Sequence, residues 1–272
     1  MEGHVPEIIH IYKSDSDIDW QDLEKYISST INSVSDVEIR EPFLTHHLKS
    51  DDTITSVAEK MVKTKVFDAS APYTTYDPFP IEIEHEKEAI IEPNKNVAGM
   101  LYDGYRLHKL FQEILSPQEL TFSHLHIIFT NRLMGTWAKG DARYHARVCV
   151  LGFPSIISTT GVVEAPAKPR EFYISRKALI ASGMERELVE EELNRKFEGR
   201  FIDYDDERMT EIIKGYIVQA LFYHLTFEPF CSDKNCRLFN AHWQEDMIHA
   251  QLEGNDFCER HEGILERIRR YE

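Results

Sequence analysis

The sequence predicts an α/β fold, a mixed sheet flanked by helices, and three observations carry that expectation. The chain opens strand, helix, strand. Glu7 to Lys13 is short, β-branched and aromatic, Ile18 to Ile27 repeats its apolar residues at helical spacing, and Val37 to Arg40 returns to an extended pattern. A helix between two strands is the connection that lets them run parallel. Further strand-like runs, Thr121 to Thr130 and Arg143 to Gly152, are interleaved with amphipathic segments. With 272 residues, 42% hydrophobic and 29% charged, the chain can bury one good core.

Taken in order, the first helix follows Asp17 and carries Ile18, Trp20, Leu23, Tyr26 and Ile27 on its apolar side, with acids in its first turn. Ile54 to Val62 reads as a short helix. Ala71 to Pro80 is rich in proline and aromatic residues and reads as an ordered loop. The acidic stretch Glu82 to Glu92 is expected at the surface. From Asn96 to Leu115, the positions Val97, Met100, Leu101, Tyr105, Leu107, Leu110, Phe111 and Leu115 predict one long core-facing helix. Glu171 to Ile174 is a third strand candidate after 121–130 and 143–152, and Ser158 to Pro169 before it a loop or edge segment. Arg176 to Phe197 is charged and amphipathic, a surface helix. Met209 to Phe227 is more apolar and follows the acidic run Asp203 to Glu207, which favours a helix N-terminus. A charged helix near Glu262 to Tyr271 closes the chain. No internal repeat or flexible linker interrupts it, so residues 1–272 are expected to form a single domain.

Charge and cysteine usage narrow the function. The formal net charge is −16, with 47 acidic residues against 31 basic, which disfavours a phosphate backbone as partner. Apolar runs fall short of the roughly 20 residues a bilayer span needs. Met1 to Glu7 has neither the basic nor the apolar part of a secretory signal, so a cytoplasmic chain without a membrane partner is expected. Cys149 lies in the apolar run Val148 to Leu151 and reads as a small buried hydrophobe. The other three cysteines cluster in one polar region, which in a reducing compartment suggests metal ligands rather than disulfides.

Cys231 and Cys236 bracket the turn Ser-Asp-Lys-Asn, and Cys258 and His261 stand three apart at the start of the last helix. Two close pairs cost less ordering entropy to bring to one point than four scattered ligands. A Cys₃His set suits tetrahedral Zn²⁺, leaves no open position and is therefore expected to be structural. His242 and His249, between the pairs, are either substitutes in that cluster or surface positions.

At Tyr223 to Cys236 the chain resembles the archaemetzincins, zinc metallopeptidase-like proteins. These carry a His-Glu-x-x-His helix, then a Cys-x₄-Cys pair and later Cys-x-x-Cys. The spacing from the second motif histidine, here His224, to Cys231 and Cys236 is kept, and the final pair appears as Cys258-x-x-His261. The resemblance implies a metzincin-like core with a zinc-stapled segment at 231–261. It also places Ala220 where the first motif histidine belongs, Leu221 at the glutamate, Phe230 at the third ligand and Leu238 at a methionine. A peptidase of this type needs both histidines on one helical face and the glutamate to activate zinc-bound water. The reading is therefore a metallopeptidase-like protein with one structural zinc and a lost catalytic zinc, acting in binding or regulation on a peptide or protein ligand.

The alternative is an active metal-dependent hydrolase with a relocated histidine-rich site. His124 and His126 sit two apart on a strand and share a face. His145 on the next strand and His224 are the other candidate catalytic ligands. Arg143 and Arg147, with Thr130 to Arg132 and the segment Ser158 to Lys168, form a candidate ligand-facing rim, since arginine pairs bidentately with carboxylate or phosphate. Neither a phosphate-cradling glycine loop nor a Gly-x-Ser-x-Gly elbow occurs.

Overall fold

The computed structural model describes residues 5–14, 17–31, 36–72, 74–93, 99–254 and 256–270. The opening is β1 (Ile8–Tyr12), α1 (Trp20–Thr30) and β2 (Asp36–Arg40), and β1 pairs with β2 in parallel as its connection requires. Asp19 caps α1 by accepting from the Asp22 N–H. Then follow α2 (Phe43–His47), α3 (Asp51–Val62), β3 (Lys65–Val66), α4 (Pro80–Ile91), β4 (Leu101–Asp103) and α5 (Gly104–Ile114). Strands β5 (His124–Thr130), β6 (Leu133–Thr136), β7 (His145–Arg147), β8 (Cys149–Val150) and β9 (Ser155–Ser158) come next. Helices α6 (Thr159–Glu164), α7 (Arg170–Ala181), α8 (Arg186–Lys196), α9 (Met209–Thr226), α10 (Gln244–Ile248) with a π-helical extension (His249–Gly254), and α11 (Glu259–Arg270) complete the chain. No helix among the described residues is long and apolar enough to cross a membrane.

The strands form two mixed sheets. The larger has the order β2-β1-β5-β9-β8, parallel except for β8, which runs antiparallel along one edge. The smaller has the order β3-β4-β6-β7. Alternation along β1 and β5 divides the larger sheet into two faces. Ile9, Ile11, Leu125 and Ile127 join one core with Leu23 and Ile27 of α1 and Ile213, Ile217 and Leu221 of α9. Tyr12, Ile128 and Ile156 join a second core with Phe43 of α2, Met61 of α3 and Phe111 of α5.

Several expectations change in three dimensions. The 143–152 strand splits, His145–Arg147 pairing in the smaller sheet and Cys149–Val150 in the larger, with buried Val148 between them. The long helix begins only at Gly104, because Leu101–Asp103 is held as a strand between β3 and β6. Asp103 then caps it, accepting from the Tyr105 and Arg106 N–H groups; Asn96 and Val97 lie outside the described residues. Glu171 to Ile174 is the first turns of α7, not a strand. The single surface helix expected at 176–197 is two, α7 and α8, broken where Gly183 adopts φ 82, a left-handed conformation that glycine takes without a Cβ penalty. Ser158 to Pro169 begins with α6, capped by the Ser158 hydroxyl.

The acidic stretch 82–92 is not simply a surface segment. It is α4, and Glu86 within it is fully buried. Arg132 donates to Glu86 from Nε and Nη2 (2.9 and 2.7 Å), Lys65 Nζ lies 3.1 Å away, and the Tyr102 hydroxyl donates at 2.9 Å. Burial opposes the Glu86 charge, but Arg132 and Lys65 together offset it and hold the carboxyl below its ordinary value. A lowered folded-state pKa means that the stabilisation is present above the unfolded value and is lost as pH falls through the folded one. We predict that Glu86→Gln, which strands two buried cations, lowers stability by about 3–5 kcal/mol at pH 7. Its deficit against wild type should shrink as pH falls below the ordinary carboxylate range. Denaturant unfolding across that range checks this, and a deficit that stays constant with pH would contradict it.

Candidate metal centres

The segment after α9 folds back on itself. Phe227 ends the helix in the left-handed region, φ 58, a conformation that costs an L residue about 1–2 kcal/mol. Beyond it the Cys231 N–H donates to the Leu238 carbonyl (2.8 Å), and the Cys236 N–H to that of Asp233 (3.1 Å), closing the turn that the spacing implied. Cys258 and His261 stand one turn apart, the His261 N–H bonded to the Cys258 carbonyl. The donor atoms of Cys231, Cys236, Cys258 and His261 all lie within 4.8 Å of one another. Cys231 Sγ is 3.9 Å from Cys258 Sγ, and His261 Nδ1 is 3.5 Å from Cys236 Sγ and 3.0 Å from Cys258 Sγ.

Those sulfurs are too far apart for a disulfide, whose bond is about 2.05 Å. Ligands at about 2.3 Å (sulfur) and 2.0 Å (nitrogen) from a tetrahedral zinc stand roughly 3.5–3.8 Å apart, so the four residues fit such an ion. Phe222, Leu238 and Leu265 pack behind them, and the Phe222 ring meets His261 edge-on at 5.3 Å. Burial pushes the Cys236 thiol up to about 12. His249 is engaged by Glu253 and Asn235 (2.6 and 2.9 Å), and His242 lines a separate cleft. Neither belongs to this donor group.

Helix α9 does not turn Ala220 or Leu221 toward the cleft. Ala220 and Leu221 lie in the core beneath the larger sheet. His224 is buried, its Nε2–H donating to the Phe122 carbonyl (2.9 Å), with Phe153 against its ring at 5.4 Å. The helix residues that reach the cleft are Tyr216, Gln219 and Tyr223. This cleft, about 370 Å³, lies between α9, edge strand β8 and the segment 229–242, and is also lined by Tyr105, Thr136, Arg147, Phe230 and His242. Gln219 is 2% exposed; its Nε2 has one long contact, 3.4 Å to the Phe239 carbonyl, and its Oε1 has no hydrogen-bond partner among the described residues. The residues present on this face of α9 do not fit a catalytic zinc.

The expected rim is likewise redistributed. Arg147 lines the cleft and donates to Thr136 Oγ1 (2.8 Å), and Ala165 and Pro166 of the 158–168 segment line it too. Arg143 is exposed and outside the lining. Thr130, Asn131 and Arg132 are elsewhere, Arg132 being committed to Glu86.

The four candidate histidines do not converge. His124 and His126 share a face, but their third member is His10, which the sequence reading missed. The parallel register sets His10 opposite His126 and Ile8 opposite His124. His145 is in the smaller sheet, 3.7 Å from Asp141, and His224 is on the helix covering the opposite face of the larger sheet. His10 belongs to a strand that was recognisable, but its partner strand and register were not. Burial, with Arg40 adding to it, lowers His10, and burial with the neighbouring His10 brings His126 down to about 3.

The chain belongs to the probable metallopeptidase family (DUF6775), whose model matches residues 5–268. Among solved structures it is similar to the archaemetzincin of Methanopyrus kandleri, with 10% sequence identity over 97% of this chain and 96% of that one and a TM-score of 0.43. No curated protein sequence matches it.

The environment of His224 makes a prediction. His224→Ala removes a buried hydrogen bond and a packed ring, and should lower stability by about 1–3 kcal/mol while bound metal stays constant. Metal content by plasma mass spectrometry beside thermal melting checks this. A loss of metal in step with the substitution would make His224 a ligand.

Proposed function

We propose that this chain holds one structural zinc ion on Cys231, Cys236, Cys258 and His261, and that its cleft binds an extended peptide or protein segment without cleaving it by the family's usual zinc chemistry. It does so as one domain over residues 1–272, in the cytoplasm. The observation that carries this reading is the strip of α9 facing the cleft, which presents Tyr216, Gln219 and Tyr223. Hydrolysis by a helix-borne zinc needs two histidines four apart and a glutamate on that strip. The zinc, when bound, would tie the segment following α9 to α11 and so fix the wall of the cleft at 229–242.

The cleft's own groups suit an extended backbone. Among the described residues strand β8 pairs with β9 alone, and its other edge lines the cleft, where an added strand could pair in the manner of β-augmentation. The Gln219 Oε1 atom is a buried acceptor that a peptide N–H would satisfy, and an unsatisfied buried acceptor costs about 1–3 kcal/mol. Arg147 offers a cation to a carboxylate, and Tyr105, Tyr223 and Phe230 offer aromatic surface for apolar side chains. The relocated-site alternative drew on His124, His126, His145 or His224; His124 and His126 stand together, whereas His145 and His224 lie apart from them.

Two measurements test the reading. Protein purified without added metal is expected to carry one zinc that resists chelation and is released on unfolding, and Cys236→Ser should lose both that zinc and much of its stability. A Cys236→Ser chain that folds normally with full zinc would refute the ligand assignment. In a peptide-library binding assay read by fluorescence and mass spectrometry, Gln219→Ala should weaken capture about tenfold, one hydrogen bond to a buried acceptor, with peptides recovered intact. Chelator-sensitive cleavage abolished by Gln219→Ala would replace the binding role by an enzymatic one.

A further inference from the structure

We propose that His10, His124 and His126 form a second metal site, for a divalent ion of the Zn²⁺ or Co²⁺ class, on the face of the larger sheet away from α9. The three ligand atoms lie within 4.8 Å of one another. They stand on neighbouring parallel strands in fixed register, so their placement is set by the sheet rather than by a loop. His10 and His126 are 1% and 3% exposed, while His124 is partly open and gives an ion a way in.

The hydrogen bonds around the rings determine where the lone pairs point. His10 Nδ1 faces the Glu38 carboxylate at 3.0 Å, so Nδ1 carries the hydrogen and Nε2 the lone pair. His126 Nε2 faces the Glu119 carbonyl at 3.1 Å, so Nε2 carries the hydrogen and Nδ1 the lone pair. Metal-ligating histidines characteristically give their other N–H to a carboxylate or a backbone carbonyl, and here both kinds are present. His124 Nδ1 lies 2.8 Å from His10 Nε2 and is the third inward nitrogen.

The competing account is a hydrogen-bonded network complete in itself, with His124 Nδ1–H donating to His10 and the Tyr12 hydroxyl donating to His126 Nδ1 (3.2 Å). The same geometry shows how that network would give way to an ion without losing a proton. His124 moves its ring hydrogen to Nε2, and the Tyr12 hydroxyl turns from His126 to His47 Nε2, which is 3.2 Å from it. Charge also permits a dication. Arg40 pairs with both Glu38 and Glu119 (2.8 and 3.1 Å), leaving one carboxylate charge in excess, and His46 and His47 are the remaining titratable groups facing Tyr12. Three imidazoles leave a fourth position for water or a small anion.

Cobalt titration of the full-length chain, first unfolded in chelator to release its zinc and then refolded with Co²⁺, followed by visible absorption and metal counting, tests the site. Two Co²⁺ per chain are expected. One should show the thiolate charge-transfer band of a sulfur site, lost in Cys236→Ser. The other should show only the d–d bands of nitrogen ligation, lost in His124→Ala and His124→Gln with the folded circular-dichroism spectrum unchanged. Glu38→Gln should weaken the nitrogen site by 10–100-fold. The site is refuted if stoichiometry is the same in both His124 variants as in wild type, or if every bound Co²⁺ carries the thiolate band, which would leave a histidine hydrogen-bond network only. Because the two sites differ spectroscopically, failure of this one is distinct from failure of the cysteine site.

Discussion

The enclosure of α9 is the constraint on which the rest of the structure depends. One side of the helix is buried under the larger sheet through Ile213, Ile217 and Leu221, and another packs with Val218 and Phe222 against Cys236, Leu238 and Leu265. Only a narrow strip remains for the cleft. An α-helix turns about 100° per residue, since 3.6 residues complete a turn, so which residues hold that strip decides what chemistry the cleft can do. It is held by Tyr216, Gln219 and Tyr223, of which Gln219 and Tyr223 stand one position before Ala220 and His224, residues that the cysteine spacing singles out.

The cysteine segment depends on the same helix. Phe222 faces His261, and Gly215 lets the π-helical turn come close enough that a Cβ there would lie 1.9 Å from Gln251 Oε1. Gln251 in turn donates to the Arg237 carbonyl (2.9 Å), and Arg237 pairs with Glu211 at the start of α9. The donor group and the helix thus brace each other through side chains that play no part in a catalytic site. The Cys₃His group is thus supported by the side of the helix that carries Val218 and Phe222, away from the side that faces the cleft.

What was legible in the sequence divides along the same lines. The β-α-β opening, the apolar helix 209–227 and the cysteine group are local patterns: the first two appear at their expected places, and the four donor atoms of the third lie within 4.8 Å of one another. The facing of α9 was not legible, because a helix buried on most sides has no polar stripe to mark its orientation. Glu86 in α4 was invisible for a related reason: its partners Lys65 and Arg132 are distant in sequence, and only their approach makes a buried carboxylate tolerable. The splitting of 143–152 between two sheets turns on the pairing of β7 with β6 and β8 with β9, which the composition of the run does not encode.

The two groups of side chains that could hold a metal ion illustrate this difference in opposite ways. The cysteine group is built from two sequence-local pairs, so most of its loop-closure cost is small and its spacing is readable. The histidine group closes only when β1 lies beside β5, across more than a hundred residues, and its ordering is inseparable from assembly of the sheet. His10 and His126 are fixed by Glu38 and the Glu119 carbonyl, groups that also hold Arg40, so the polar face of the sheet is arranged as one connected unit beside the apolar core of α2 and α5. In this fold the sequence-local group braces the helix and the sheet-borne group sits on the far side of the core, so that neither lies on the strip of α9 that faces the cleft.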